Sequence, residues 1–355
     1  MAKQIKNSQL HKGKYQWLKW LLGILCLLAL LGGTVFIYIL FPPVVAETIV
    51  KASDHRQPLT ETPKKFGLNY EDVLIPCSEG VTLSGWWLPS PLSKPLGTIL
   101  LTHGVFHNRE QVLNRAVFLV GKGYQVLVFD QRGNGLSGNS PVSGGLLEAG
   151  DFPACAKYLA DRRWVRQPLI YFGFSLGAIS ALRAGVSIQY AQAIVADSPL
   201  PNLKSYVSRR TIGAPFAWLP GFLGSCLKAY DLKTGLALTE NDLDLMPVVK
   251  QIKNLPVLYI TGERDDLARP EEVQQLFAHT PSPHRRLVYI PEAGHEETFT
   301  KYPIVYEKSL MEFLTDLRDG FPDARKYEEE QMKTIKLLEK QVSMKQKGHS
   351  EQPMK

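Results

Sequence analysis

Paired cysteines, metal-ligand spacings and nucleic-acid-binding modules are all missing from this chain. Its four cysteines, Cys26, Cys77, Cys155 and Cys226, include no C-x-x-C pair. That spacing excludes a zinc-finger type of centre and gives no framework for a disulfide scaffold. Cys26 falls inside an apolar run, so only Cys77, Cys155 and Cys226 belong to the rest of the chain. Buried free thiols are expected there, with one disulfide left open if the domain faces an oxidising space. Internal repeats are absent too. The formal charge of +7 is concentrated rather than spread: Lys3, Lys6, Lys12, Lys14 and Lys19 crowd the start, and a second basic excess follows Lys333. Acids and bases nearly balance between them, so no basic stripe of the kind a nucleic-acid groove needs is present. Basic ends around a mixed middle suit membrane orientation and solubility instead.

One long apolar run is present. Residues 20–41 carry no charge over 22 positions. As a helix rising about 1.5 Å per residue they would span ~33 Å, against a hydrocarbon core of ~30 Å. Trp17, Trp20 and Tyr38 stand near its two ends, where amphipathic rings prefer the headgroup level. The basic residues precede the run. The positive-inside rule therefore predicts a cytoplasmic N-terminus over 1–16, a transmembrane anchor over 17–41, and a catalytic domain on the periplasmic, luminal or extracellular side. A cleavable signal peptide has a shorter apolar region, about 7–15 residues, although Val44-Val45-Ala46 has the small-residue character of a cleavage site. A buried core helix would show a polar face, which this run lacks. Pro42 and Pro43 are expected to close the helix, and 42–68 reads as a juxtamembrane stem.

Residues 69–322 carry the pattern of one α/β domain. Segments 71–76 and 81–88 read as an antiparallel pair turned at Ser78-Glu79-Gly80. Segments 98–102, 125–129, 169–174, 193–196, 257–261 and 286–290 are short apolar runs suited to strands buried on both faces. Between them, 109–120, 148–161, 176–187, 270–277 and 302–317 carry helical spacing or helix starts. Such alternation predicts a mostly parallel sheet flanked by helices. Residues 201–250 break it, with an apolar centre from Ile212 to Leu223. So long a stretch is expected to be helical rather than structureless, forming a lid over the active site or a pair of helices patching the core. Residues 323–355 turn Lys/Glu/Gln-rich, which suggests an exposed charged helix followed by a disordered tail.

The chemistry starts at Gly173-Phe174-Ser175-Leu176-Gly177, which directly follows a strand candidate and opens a helix. A G-x-S-x-G pattern alone recurs by chance, but strand-to-helix placement marks a nucleophile elbow. There the serine occupies a strained turn, and glycines two residues to either side avoid a collision with neighbouring backbone. An elbow serine needs a base, an orienting acid and oxyanion donors. Ile290-Pro291-Glu292-Ala293-Gly294-His295 is a strand running into a turn that ends in histidine, and 258–265 is one that ends in Asp265. The order Ser175, Asp265, His295 is the nucleophile–acid–base order of open-sheet serine hydrolases, with acid and base after consecutive strands. His295 would move the proton and Asp265 would hold its tautomer. Asp266 and Asp197 compete for the acid's role. His103 reads as a structural histidine, and His11, His55, His107, His279 and His284 lack a comparable setting.

His103-Gly104, the turn 129–138, the motif 173–177, the turn 262–265 and Gly294-His295 together resemble the α/β-hydrolase superfamily. Leu83-Ser84-Gly85-Trp86-Trp87-Leu88-Pro89 and Asp197-Ser198-Pro199 resemble its BEM46-like branch, which includes the ABHD13-type proteins. The likeness spans about 70–315. It implies an α/β-hydrolase fold with an eight-stranded, mostly parallel sheet and no metal or organic cofactor. It also implies an oxyanion hole formed by the backbone N–H groups of Val105 and Leu176, with Gly104 allowing close approach, and a structural role for Asp130 and Arg132. The N-terminal anchor and the basic tail depart from the pattern and bear on location and partners. The expectation is a membrane-anchored serine hydrolase that cleaves an ester, thioester or related acyl bond of a small-molecule or lipid-like substrate through an acyl-enzyme. A serine peptidase is the alternative within the class, and a non-catalytic membrane-tethered binding module the alternative outside it. A dehalogenase would need an Asp at position 175.

Overall fold

The computed structural model describes residues 16–54, 56–187, 190–210 and 214–321. The strands are β1 (Glu71–Pro76), β2 (Thr82–Leu88), β3 (Thr98–Thr102), β4 (Gln125–Phe129), β5 (Leu169–Phe174), β6 (Ala193–Asp197), β7 (Val257–Gly262) and β8 (Arg285–Ile290). The helices are α1 (Gln16–Val35), α2 (Pro42–Asp54), α3 (Leu113–Gly121), α4 (Asp151–Asp161), α5 (Leu176–Ser187), α6 (Leu203–Arg210), α7 (Phe222–Thr234), α8 (Met246–Val249), α9 (Pro270–His279) and α10 (Pro303–Asp319). These elements divide into two compact units, one within Met1–His55 and Asn202–Leu243, the other within Arg56–Pro201 and Asp244–Lys355.

The larger unit is an eight-stranded sheet in the order β1-β2-β4-β3-β5-β6-β7-β8. β1 and β2 pair antiparallel, as do β2 and β4, and every other neighbouring pair is parallel. All residues of β3 through β7 are buried, because helices must cover both faces of a parallel sheet. On one face Ile99, Leu101, Val128 and Phe172 share a core with Leu113 of α3 and Phe313 of α10. On the other, Phe152 of α4 packs on Phe129 and Tyr171, at ring separations of 5.3 and 4.8 Å. Register then brings the carboxyl ends of the parallel strands to one edge: Thr102 lies beside Gly173, Gly173 beside Ala196, and Gly262 beside Ile290.

The smaller unit is helical. Its run Trp17–Lys51 is long and apolar enough to cross a membrane, and none of its most apolar stretch is buried, unlike a core helix. α1 passes into a π-turn, Phe36–Leu40, where the Phe41 N–H donates to the Phe36 carbonyl at 2.8 Å. Here the expectation for Pro42 and Pro43 is corrected, because they begin α2 instead of closing the helix. Proline has no N–H to lose at a helix's first positions, and the wider turn absorbs the break. The segment 42–68 is likewise not one stem. α2 buries Val45 and Ala46 against α7 residues Phe222, Cys226, Ala229 and Tyr230, and Lys233 of α7 pairs with Glu47. Residues 56–68 belong to the sheet unit, where Leu59 and Leu68 pack on its core and Thr60 Oγ1 donates to Glu110 at 3.0 Å. The basic stretch 1–15 and the charged tail 323–355 lie outside the described residues.

Candidate active site

β5 ends at Phe174 and α5 starts at Leu176, leaving Ser175 as the whole turn between them. Its φ is +53°, in the left-handed region that costs a non-glycine residue energy. The turn is tight enough that a Cβ on Gly173 would stand 1.9 Å from the Gly177 carbonyl oxygen. A Cβ on Gly177 would meet the His103 and Thr102 carbonyl oxygens at 2.8 and 2.9 Å. Glycine at both places is therefore a condition of the turn.

His295 follows β8, and its Nε2 lies 2.9 Å from Ser175 Oγ. Its Nδ1 lies 2.8 Å from Asp265 Oδ2. Since a carboxylate only accepts, Nδ1 carries the proton and Nε2 is free to accept from the serine hydroxyl. Asp265, after β7, is fixed in turn: its Oδ1 accepts from the Leu267 and Ala268 N–H groups at 3.0 and 2.7 Å. The two loops are interlocked, because a Cβ on Gly262 would stand 2.2 Å from the Ala293 carbonyl oxygen. All three side chains are buried, His295 the least at 9% exposure.

The rival acids fall elsewhere. Asp266 is exposed. Asp197 is buried in a separate cluster, where its Oδ2 accepts from Arg115 Nη2 at 2.9 Å, Tyr306 at 2.8 Å and Thr298 at 3.1 Å. The Arg115 guanidinium also lies 5.0 Å from the Phe174 ring, which in turn sits 5.3 Å from the His295 imidazole. Sequence reasoning missed this layer behind the histidine. An arginine within the apolar pattern of α3 was its one signal. It also passed over His107, which is half-buried with Nε2 3.5 Å from Glu296. Burial holds the His107 pKa down, Glu296 pulls it back up, and His295 adds to the depression.

The loop after β3 lies against the elbow. Gly104 is close enough that a Cβ there would stand 3.2 Å from the Ser175 Cβ, and the His103 carbonyl accepts from the Gly177 N–H at 3.1 Å. Gln111 accepts from the Gly104 N–H at 2.8 Å, and Asn134 from the Phe106 N–H at 3.1 Å. Val105 is framed between them. Among the described residues neither the Val105 nor the Leu176 N–H takes part in a backbone turn or loop bond. His103 is fully buried, its Nδ1 2.6 Å from the Gly104 carbonyl and its Nε2 accepting from the Gln131 N–H at 3.2 Å. Burial pushes its pKa down to about 4, so it stays neutral and holds the loop. Asp130 receives Arg109 and the Leu136 N–H, and Arg132 pairs with Asp151 at 2.7 Å, so both brace the turn 129–138. All four cysteines are free. Among the described residues no cluster of His, Cys, Asp and Glu is arranged to hold a metal ion.

The sheet order, its flanking helices and the loop-borne serine, histidine and aspartate at one edge define a hydrolase of the α/β type. Residues 93–246 match the family described as "Serine aminopeptidase, S33". The Mycobacterium tuberculosis protein Rv2307c is 30% identical over 250 residues, 69% of this chain and 79% of that one. The protein bem46 of Schizosaccharomyces pombe is 25% identical over 243 residues, 67% of this chain and 74% of its own. Among solved structures, the Pyrococcus furiosus esterase Pf2001 is 31% identical with a TM-score of 0.61, covering 73% of this chain and 96% of that one. The chain belongs to the α/β-hydrolase superfamily, in its BEM46-like branch.

Proposed function

We propose that this protein is a membrane-anchored serine hydrolase that cleaves an ester, thioester or related acyl bond through an acyl-enzyme. The observation that carries the reading is the chain of contacts Ser175–His295–Asp265, at 2.9 and 2.8 Å, on a strained elbow. His295 Nε2 takes the hydroxyl proton as Ser175 Oγ attacks the carbonyl carbon, and Asp265 stabilises the imidazolium that forms. The Val105 and Leu176 N–H groups hold the negative charge that develops on the carbonyl oxygen, at the start of α5 where the helix dipole assists. His295 then returns the proton to the leaving group. Water repeats the cycle on the acyl-Ser175 ester and releases the acid.

An ester or thioester substrate is favoured by the likeness to a solved esterase; a peptide substrate is the second reading, favoured by the aminopeptidase family match. A fluorophosphonate probe is expected to label the wild type and not Ser175→Ala. Equal labelling of the two would end the proposal. Acyl esters of increasing chain length, run against aminoacyl amides, separate the two substrate readings.

α1 is assigned as the anchor. The uncharged run of residues 20–41 is longer than the apolar region of a cleavable signal peptide, and this supports a retained segment. The sheet unit is assigned to the non-cytoplasmic side by the lysines that precede α1. Protease added outside intact cells or spheroplasts should reach it, and full protection would refute the orientation. The insertion of about residues 201–250 leaves the chain just past β6, and we assign it the lid's role.

A further inference from the structure

Within the helical unit, residues 216–222 of the insertion pack on the last apolar turn of the N-terminal helical run. The Phe41 ring meets Phe216 edge-on at 5.2 Å and lies stacked beside Phe222 at 6.3 Å. Tyr38 donates its hydroxyl hydrogen to the Pro220 carbonyl at 2.9 Å. Between these contacts Trp218 is left 73% exposed, while its indole N–H is already bonded to the Pro215 carbonyl at 2.7 Å. An exposed ring whose donor is satisfied within its own turn has little to gain from water and much apolar area to hide.

We propose that residues 216–222 lie in the headgroup layer of a lipid bilayer, with Trp218 as the interfacial side chain. The inference rests on α1 being a membrane span. Granted that, depth follows from contact. The apolar run fills a hydrocarbon core of ~30 Å, so its last turn, residues 38–41, stands at the boundary. Whatever is bonded to Tyr38 and stacked on Phe41 stands at the same depth. The composition agrees with that layer, since residues 214–223 carry no charge and include Trp218, Pro215, Pro220 and two phenylalanines, and tryptophan prefers the membrane interface. The surface is continuous with the span, because Ile39 and Leu40 are exposed on the same turn of the run. The partner is the lipid surface in which the protein is already embedded.

The test uses the full-length protein in phosphatidylcholine vesicles, with Cys26 and Cys77 replaced by serine and one nitroxide at a time. The labels sit at Leu27→Cys, Trp218→Cys and Leu74→Cys, positions that are 65%, 73% and 68% exposed and tolerate the probe. Collisions with oxygen and with a water-soluble nickel chelate are read by power saturation. Position 27 should favour oxygen strongly, position 74 the chelate, and position 218 an intermediate ratio shifted toward oxygen. If 27 favours the chelate, the span itself fails and the docking with it. If 27 reads as lipid while 218 matches 74, the span stands and the docking is overturned. Loss of collisions with both reagents at 218 would mean a protein contact there and would also overturn it.

Discussion

Asp265 gives its carboxylate two jobs, one oxygen for the imidazole and the other for the Leu267 and Ala268 N–H groups. Asparagine keeps an acceptor for the backbone, but its amide end can force the wrong tautomer on His295. Asp265→Asn should therefore fold normally, by thermal midpoint, and lose on the order of 10⁴-fold in kcat on whichever acyl ester or aminoacyl amide the wild type turns over. No second acid should rescue it, because Asp197 is already occupied by Arg115. His103 supplies a different test. The folded protein keeps it neutral down to about pH 4, whereas an exposed histidine takes a proton near 6.5. Between those values the unfolded chain binds more protons, so stability is lost as pH falls through this window, by roughly 3 kcal/mol in all. Urea midpoints measured across the window should fall toward acid in the wild type. They should fall less steeply in His103→Gln.

At the scale of elements, the elbow and the loop after β3 are parts of one construction. Alanine at 177 would press on the His103 and Thr102 carbonyl oxygens, moving Val105 and Leu176 apart. Gly177→Ala should lower stability by about 2–4 kcal/mol. It should slow fluorophosphonate labelling by on the order of 10²-fold, since donors placed for an oxyanion tolerate little displacement. Most elements were legible in the sequence for a simple reason. Strands buried on both faces, such as 98–102 and 125–129, must be continuous apolar runs, and glycines at 173 and 177 have no substitute. The acid was not settled by sequence, because Asp265 and Asp266 follow one strand, Asp197 ends another, and only the fold decides which carboxylate meets the imidazole. Pro42 and Pro43 misled because the same residues end one helix or begin another, depending on whether the preceding turn widens. The layer formed by Arg115, Asp197, Thr298 and Tyr306 joins three distant parts of the chain, and no local pattern announces it.

For the whole molecule, the partition into two units is the main addition to what the sequence offered. An apolar stretch at 212–223 was visible, but the pairing of residues 216–230 with 37–50 was not, since the Tyr38–Pro220 bond alone bridges 182 positions. A chain beginning at Arg56 should lose the cover that α2 gives to α7. Cys226, 7% exposed in the intact protein, should then react with a water-soluble disulfide reagent at nearly the rate of a free thiol. A chain beginning at Pro42 should keep it protected. Thiol titration of the two native proteins separates these outcomes, and equal protection would mean that α7 needs no partner from the N-terminus.

The same pairing sets an order of assembly. α2 leaves the ribosome long before α7 exists, and at about 5–20 residues per second the interval is roughly 10–40 s. Throughout that time the face holding Val45 and Ala46 has no native mate, while β1 through β6 are made in sequence. The helical unit is thus completed by a late arrival joining a first-made segment, and the wait is longest for the part of the protein that nascent-chain chaperones would meet first.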